Sequence, residues 1–221
     1  MIEDAGTSRN RVPGRIPERL ARLLQGGTAP RPLWVAGSTV GGEEELVLSA
    51  FHRVRERVPQ ARLLVAPRHP ERFTAVPALV EAAGFRCLRR SALDPRAWGD
   101  GEVLLLDTLG ELAQVYALAS VVFVGGSLVP AGGHNILEPA VAGKAVVVGP
   151  HMENFQEIAD QFRAESAMVQ VASPDELARE VSALLLDEGR RRDLGERARD
   201  LVGRNRGALS RTTDALSSLL A

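Results

Sequence analysis

The chain has 221 residues, 45% of them hydrophobic and 25% charged, with a net charge of −1 at pH 7. That length and composition describe a globular protein able to bury a sizeable core, not a disordered one, and the near-neutral charge gives no electrostatic basis for a nucleic-acid or anionic-membrane partner. The single Cys87 excludes an intrachain disulfide, and the longest uncharged stretch, Leu112 to Gly133, carries Gln114, Ser120, Pro130 and glycines, so it is not a membrane span.

Residues 1–31 open with Met1-Ile2-Glu3-Asp4, show no signal-peptide pattern, and are dominated by Arg, Gly and Pro; they read as a lead-in or linker to a domain over 32–221. Pro32 to Ala36 reads as a first strand. Glu43 to Val58 reads as an amphipathic helix with Leu46, Ala50, Val54 and Val58 on one face, Val47 and Phe51 beside it, and its acids placed first to suit the helix dipole. A strand follows at Arg62–Ala66, a helix at Glu71–Ala83 interrupted by Pro77, a strand at Arg86–Arg90, and another at Glu102–Leu106. Cys87 sits in such a strand and reads as a small core residue rather than a nucleophile. A short helix at Gly110–Ala119, a strand at Val121–Val124, a helix at His134–Ala142, a strand at Ala145–Val148, a helix at Asn154–Glu165 and a last strand at Met168–Val171 complete the alternation. Ser173, with Glu176 three residues on, caps a helix over Asp175–Leu186, and 190–221 read as helix broken at Gly203–Gly207, with Arg190-Arg191-Arg192 on a solvated face. Repeated β-then-α units predict a Rossmann-like, doubly wound parallel sheet with helices on both faces.

Ligands of such sheets bind beyond the carboxyl ends of the strands, so the residues after each strand carry the functional signal. The richest stretch is Gly125-Gly126-Ser127-Leu128-Val129-Pro130-Ala131-Gly132-Gly133-His134-Asn135-Ile136-Leu137-Glu138-Pro139. A strand that ends in glycines and turns into a helix presents N–H groups and a positive dipole end, a generic anion site. Gly125, Gly126, Gly132 and Gly133 either leave the backbone open to a ligand or merely allow turns with positive φ. The loop contains no basic residue, and Lys144, the only lysine, lies beyond the helix. An anion held there would rest on the N–H groups of Gly132 to Asn135 and on Arg68, the first charged residue after the second strand. His69, His134 and His151 lack ligand spacing and His52 lies on a helix, so no metal site is expected.

Several of these loops together resemble the C-terminal half of 3-deoxy-D-manno-octulosonic acid (Kdo) transferases, which place Kdo on lipid A precursors. The matching segments are Gly37-Ser38-Thr39 with Gly42-Glu43-Glu44, Ala66 to Phe73, Asp107 to Leu112, Gly125 to Pro139, Gly149-Pro150-His151, and Asn205-Arg206-Gly207-Ala208-Leu209. They run from about Trp34 to about Arg211. Two positions depart: Val40 stands where the family usually has histidine, and Leu109 where it often has methionine.

The resemblance implies a GT-B glycosyltransferase whose C-terminal Rossmann-like domain holds the donor, CMP-Kdo, with no further cofactor. In the family, the lipid acceptor and a glutamate base belong to an N-terminal domain not contained in these 221 residues. No catalytic residue is therefore expected here, and the chain itself should be soluble while the whole enzyme works at the cytoplasmic face of the inner membrane. By resemblance, Pro67, Leu109, Gly110 and Glu111 frame the cytidine; Asn135, Ile136, Leu137 and Glu138 hold the rest of CMP; Ser127, Gly132, Gly133 and His134 face phosphate or sugar. From chemistry alone, Glu138 can accept from both ribose hydroxyls or be a surface carboxylate, Asn135 can bind or cap, and Arg68 can fork onto an anion or pair with Glu71 or Glu111. Asp107 reads as a turn or cap residue. A stand-alone nucleotide-sugar module without catalysis, and another GT-B enzyme using a UDP-sugar, are the alternative readings.

Overall fold

The computed structural model describes residues 17–25, 31–92 and 98–219. Short runs rich in valine and leucine become seven parallel strands, β1 (Leu33–Thr39), β2 (Arg62–Pro67), β3 (Arg86–Arg89), β4 (Glu102–Leu105), β5 (Val121–Val124), β6 (Ala145–Val148) and β7 (Val169–Gln170), in the order β3-β4-β2-β1-β5-β6-β7. α1 (Glu18–Gln25) precedes them, α2 (Glu43–Arg57), α3 (Val76–Ala82), α4 (Leu112–Tyr116), α5 (Leu137–Val141) and α6 (Gln156–Ala164) lie between them, and α7 (Pro174–Leu186) and α8 (Glu188–Leu219) follow. Because strand side chains alternate, Leu33 and Val35 of β1 pack toward α1, α4, α5, α6 and Ala198, Leu201 and Val202 of α8, while Trp34 and Ala36 pack toward α2, α3, α7 and Leu194 of α8. Both faces are covered, which is why the strands read as continuous apolar runs. The chain order reverses direction at β1, so β2 and β5 flank it and their loops meet at its carboxyl end. Among the described residues no helix is long and apolar enough to cross a membrane.

Several boundaries differ from the sequence reading for definable reasons. The helix expected over Glu71–Ala83 is a 3-10 turn, Pro70–Thr74, followed by α3, because Pro77 has no N–H to donate and fits only the first turn. The helix expected from His134 starts at Leu137, which leaves Pro139 in a first turn where its missing N–H costs nothing. α8 runs unbroken through Gly203 and Gly207, glycine being unfavourable in a helix by only about 0.5–1 kcal/mol each. Ser173 caps α7 as expected, accepting from the Glu176 N–H at 3.2 Å, while the Glu176 carboxylate accepts from the Ala172 N–H. The buried face of α2 is Val47, Leu48, Ala50, Phe51 and Val54; Leu46 is only half-buried.

Residues 18–25 do not behave as a linker. Leu20 and Leu24 of α1 are buried in the same core as Leu33, so the packed domain reaches back past residue 32. The rest of the expected linker, 1–16 and 26–30, lies outside the described residues.

Candidate functional site at the carboxyl ends of the strands

At the end of β1 the backbone turns sharply at Ser38, which adopts φ 57°, and the register of β1 on β2 shifts between Gly37 and Thr39. Gly37 has no side chain because the buried Tyr116 hydroxyl occupies that space and hydrogen-bonds Ser38. The Arg68 N–H donates to Thr39 O at 2.8 Å, which seats the β2 loop on the β1 loop. Pro67 is buried at the end of β2 and Arg68 is exposed just beyond it. Glu71 lies 3.9 Å from His69, and Glu111 is held by Arg90, so neither takes the Arg68 guanidinium; it has no ion-pair partner within 4 Å among the described residues.

Across the mouth of the sheet, Arg68, His69, His134 and Glu138 share one electrostatic environment. Burial raises the pKa of the Glu138 carboxyl, with Arg68 opposing. Burial, with Arg68 and His69 adding positive charge, lowers that of His134 and keeps its imidazole neutral near pH 7. His134 Nε2 is buried without a hydrogen-bond partner among the described residues, and the Glu138 carboxylate likewise accepts no hydrogen bond from them. Tyr116 lies below, its hydroxyl held far above the ordinary range by burial and then by the Glu138 charge. This part of the expected site is brought together: a free guanidinium, an unpaired carboxylate and a neutral imidazole.

The glycine loop is built differently from the sequence expectation. Its N–H groups at Gly126, Ser127 and Leu128 donate to the buried carboxylate of Glu43, at 2.7, 3.0 and 2.9 Å, and are not open to a ligand. Val40 N–H completes the set at 3.3 Å. Burial raises the pKa of Glu43, and these four backbone donors work the other way by favouring the carboxylate. The glycines admit protein rather than ligand. A Cβ at Gly125 would strike Ser38 O, at Gly126 the His134 ring, at Gly132 the Asn154 side chain, and at Gly133 Met152 Sδ and His151 O. Gly133 N–H donates to Gly126 O, and Leu137 N–H to Asn135 Oδ1 at 2.9 Å, so Asn135 makes an Asx turn just ahead of α5, whose N-cap is Ile136. The N–H groups of His134, Asn135 and Ile136 have no partner among the described residues. With α5 only five residues long, the dipole contributes less to an anion site than expected, and these three N–H groups, that of Gly132, likewise without a partner among the described residues, and Arg68 are what remains for one.

Other expected site residues sort by their surroundings. Ser127 is fully buried, donating to Val124 O at 2.6 Å and accepting from the Gly149 N–H at 2.8 Å; its hydroxyl faces inward, not toward a phosphate or sugar. The Ile136 side chain is in the core and Leu137 packs against it, which leaves only their backbone to a ligand. Leu109, 75% exposed, and Gly110 project from the loop after β4 and can cover a base. The Glu111 carboxylate is held by Arg90 at 3.0 and 2.8 Å and by the Thr108 hydroxyl, so it shapes that loop instead of reaching a ligand. Asp107 accepts from Ser91 and Arg89; burial pushes its pKa up, but these bonds outweigh burial and hold it below the ordinary range, in keeping with a structural cap. Cys87 is half-buried and its thiol is pushed up to about 11 by burial, which suits the core role and no nucleophile.

Glu43 and Glu44, read in the sequence as helix-start acids and as part of the Gly42-Glu43-Glu44 resemblance, carried no expected role at the site. Glu44 is also fully buried, accepting from the Thr39 hydroxyl and from Arg72 at 2.8 Å. Their signal was there in retrospect: consecutive acids directly after Gly41-Gly42, at a turn crowded by three loops.

Comparison with known proteins agrees with the fold. The model of the family "Glycosyl transferases group 1" matches residues 44–201. The 3-deoxy-D-manno-octulosonic acid transferase of Haemophilus influenzae is 40% identical over 192 residues, covering 86% of this chain and 44% of that protein. That of Bordetella pertussis is 36% identical over 210 residues, covering 93% and 49%. The crystal structure of the C-terminal CMP-Kdo binding domain of WaaA from Acinetobacter baumannii superposes with a TM-score of 0.73 at 35% identity, covering 78% of this chain and 89% of that one. The chain thus spans about half the length of the curated relatives it matches.

Proposed function

We propose that this chain, which belongs to the glycosyl transferases group 1 family, is the donor-binding half of a GT-B Kdo transferase and holds CMP-Kdo at the carboxyl ends of its strands. The observation that carries the reading is the pairing of an uncommitted guanidinium, Arg68, with an unpaired, desolvated carboxylate, Glu138, across the mouth of β2 and β5. A nucleotide sugar supplies what each lacks: phosphate or sugar carboxylate for Arg68, and ribose hydroxyls for Glu138. The names of the two transferases and of the WaaA domain support cytidylate and Kdo as the particular donor.

In this reading the chain's contribution to transfer is binding and charge. Arg68, with the N–H groups of His134 to Ile136, stabilises the phosphate that leaves as CMP when the bond to the Kdo anomeric carbon breaks. Leu109 and Gly110 cover the base, and Pro67 borders it. The lipid A precursor and the base that takes the acceptor hydroxyl proton belong to a companion N-terminal domain, working at the cytoplasmic face of the inner membrane. The test is calorimetric titration of the 221-residue chain with CMP, CMP-Kdo and UDP. Saturable CMP binding, at least about tenfold tighter than UDP, supports the reading. Equal or tighter UDP binding would move the chain to another GT-B donor class.

A further inference from the structure

The loops that form the site are not free-standing; they converge on the first turn of α2. Glu43 draws in the glycine loop through Gly126, Ser127 and Leu128 and the β1 loop through Val40. The peptide unit linking this anchor to the site is short. Gly126 donates its N–H to Glu43 at 2.7 Å, and its carbonyl accepts from Gly133 N–H at 2.7 Å, immediately before His134. Ser127 repeats the pattern, its N–H on Glu43 and its carbonyl on the His151 N–H at 3.0 Å. The His134 ring in turn lies against Gly126, where a Cβ would meet it. Glu43 thus reaches both the His134 segment and the His151 segment through one shared residue each.

We infer that Glu43 is a positioning residue of the donor site: its carboxylate sets the conformation of 126–128 and through it places His134 and the free N–H groups that follow. The inference rests on the donor-site reading above. It also accounts for why the N-terminus of α2, the longest helix opening at this edge, is closed to ligand phosphate: its own carboxylate already fills it. A glutamine cannot substitute. The two carboxylate oxygens each accept from two N–H groups, Oε1 from Ser127 and Leu128 and Oε2 from Gly126 and Val40, so an amide NH2 in either place would face donors.

The test compares the wild-type chain with Glu43→Gln and Glu43→Asp, at a temperature where circular dichroism shows the variants folded. CMP affinity is read by calorimetry, and the amide and imidazole shifts of His134 by NMR without ligand. His134 does not touch Glu43, so a role confined to overall stability would leave both readouts of the folded variant unchanged. The inference predicts shifted His134 signals and a CMP affinity lower by about tenfold or more for Glu43→Gln. Glu43→Asp, which keeps the charge but withdraws the oxygens by one methylene, should fall between and gives the reading if the glutamine variant does not fold. A folded variant with wild-type CMP affinity overturns the inference while leaving the donor-site reading intact. Failure of the wild-type chain to bind CMP at all would instead strike the reading on which it rests.

Discussion

Glu138→Gln separates a binding role from a structural one. The residue is exposed as a whole, yet its carboxyl is desolvated enough to raise its pKa, and no protein donor among the described residues satisfies it. Its charge is therefore a burden on the unliganded fold and an asset only when ribose hydroxyls arrive. Losing hydrogen bonds to a charged acceptor costs about 1.5–3 kcal/mol, so CMP affinity should fall roughly 10- to 150-fold by calorimetry. Thermal stability should move the other way. A carboxyl whose folded pKa lies above its unfolded one destabilises the fold once pH rises through that interval, so the glutamine variant should melt no lower than wild type at pH 7, and any gain should vanish below the ordinary glutamate value of 4.5. The wild-type affinity for CMP should likewise weaken as pH drops through the raised Glu138 pKa, and the variant should keep only the dependence that comes from protonation of the CMP phosphate itself. Unchanged CMP affinity with a lowered melting temperature would refute the reasoning and make Glu138 a structural carboxylate.

Arg68→Lys should bind CMP more weakly than wild type, because a point charge replaces a fork, whereas Lys144→Ala should leave affinity unchanged; both are read by the same titration. Asn135→Ala removes the acceptor for the Leu137 N–H and should lower stability by about 1 kcal/mol in urea denaturation, with the sheet retained. Cys87, its thiol at about 11, should react with iodoacetamide at pH 8 at least roughly a hundredfold more slowly than free cysteine, and at the ordinary rate once urea unfolds the chain, as followed by mass spectrometry.

The sheet was legible because each strand announces itself by composition: Val121-Val122-Phe123-Val124 and Ala145-Val146-Val147-Val148 are fully buried, as parallel strands covered on both faces must be. Helix starts were less legible, since local hydrogen bonds decide them; the Asx turn from Asn135 to the Leu137 N–H and Pro77 opening α3 override the apolar pattern. Which loops follow strands was readable, and Arg68 in the loop after β2 does lie close enough to His134 and Glu138 after β5 to act on the charge of both. The construction of its loops could not. Four glycines suited to a ligand equally suit close packing of Ser38, His134, Met152 and Asn154, and only coordinates distinguish the two. For the same reason Ser127, polar and in the loop, reads as a ligand group although its hydroxyl points into the protein. Glu43 and Glu44 read as ordinary first-turn acids because the N–H groups they accept from lie up to 85 residues away.

A crystal structure of the chain with CMP tests the central claim most directly. The ribose hydroxyls are expected on the Glu138 carboxylate, the phosphate within hydrogen-bond reach of Arg68, and the Glu43 carboxylate still holding Gly126, Ser127 and Leu128. A nucleotide whose phosphate lies on Lys144 or at the N-terminus of α2, with Arg68 turned to solvent and Glu138 untouched, would contradict it.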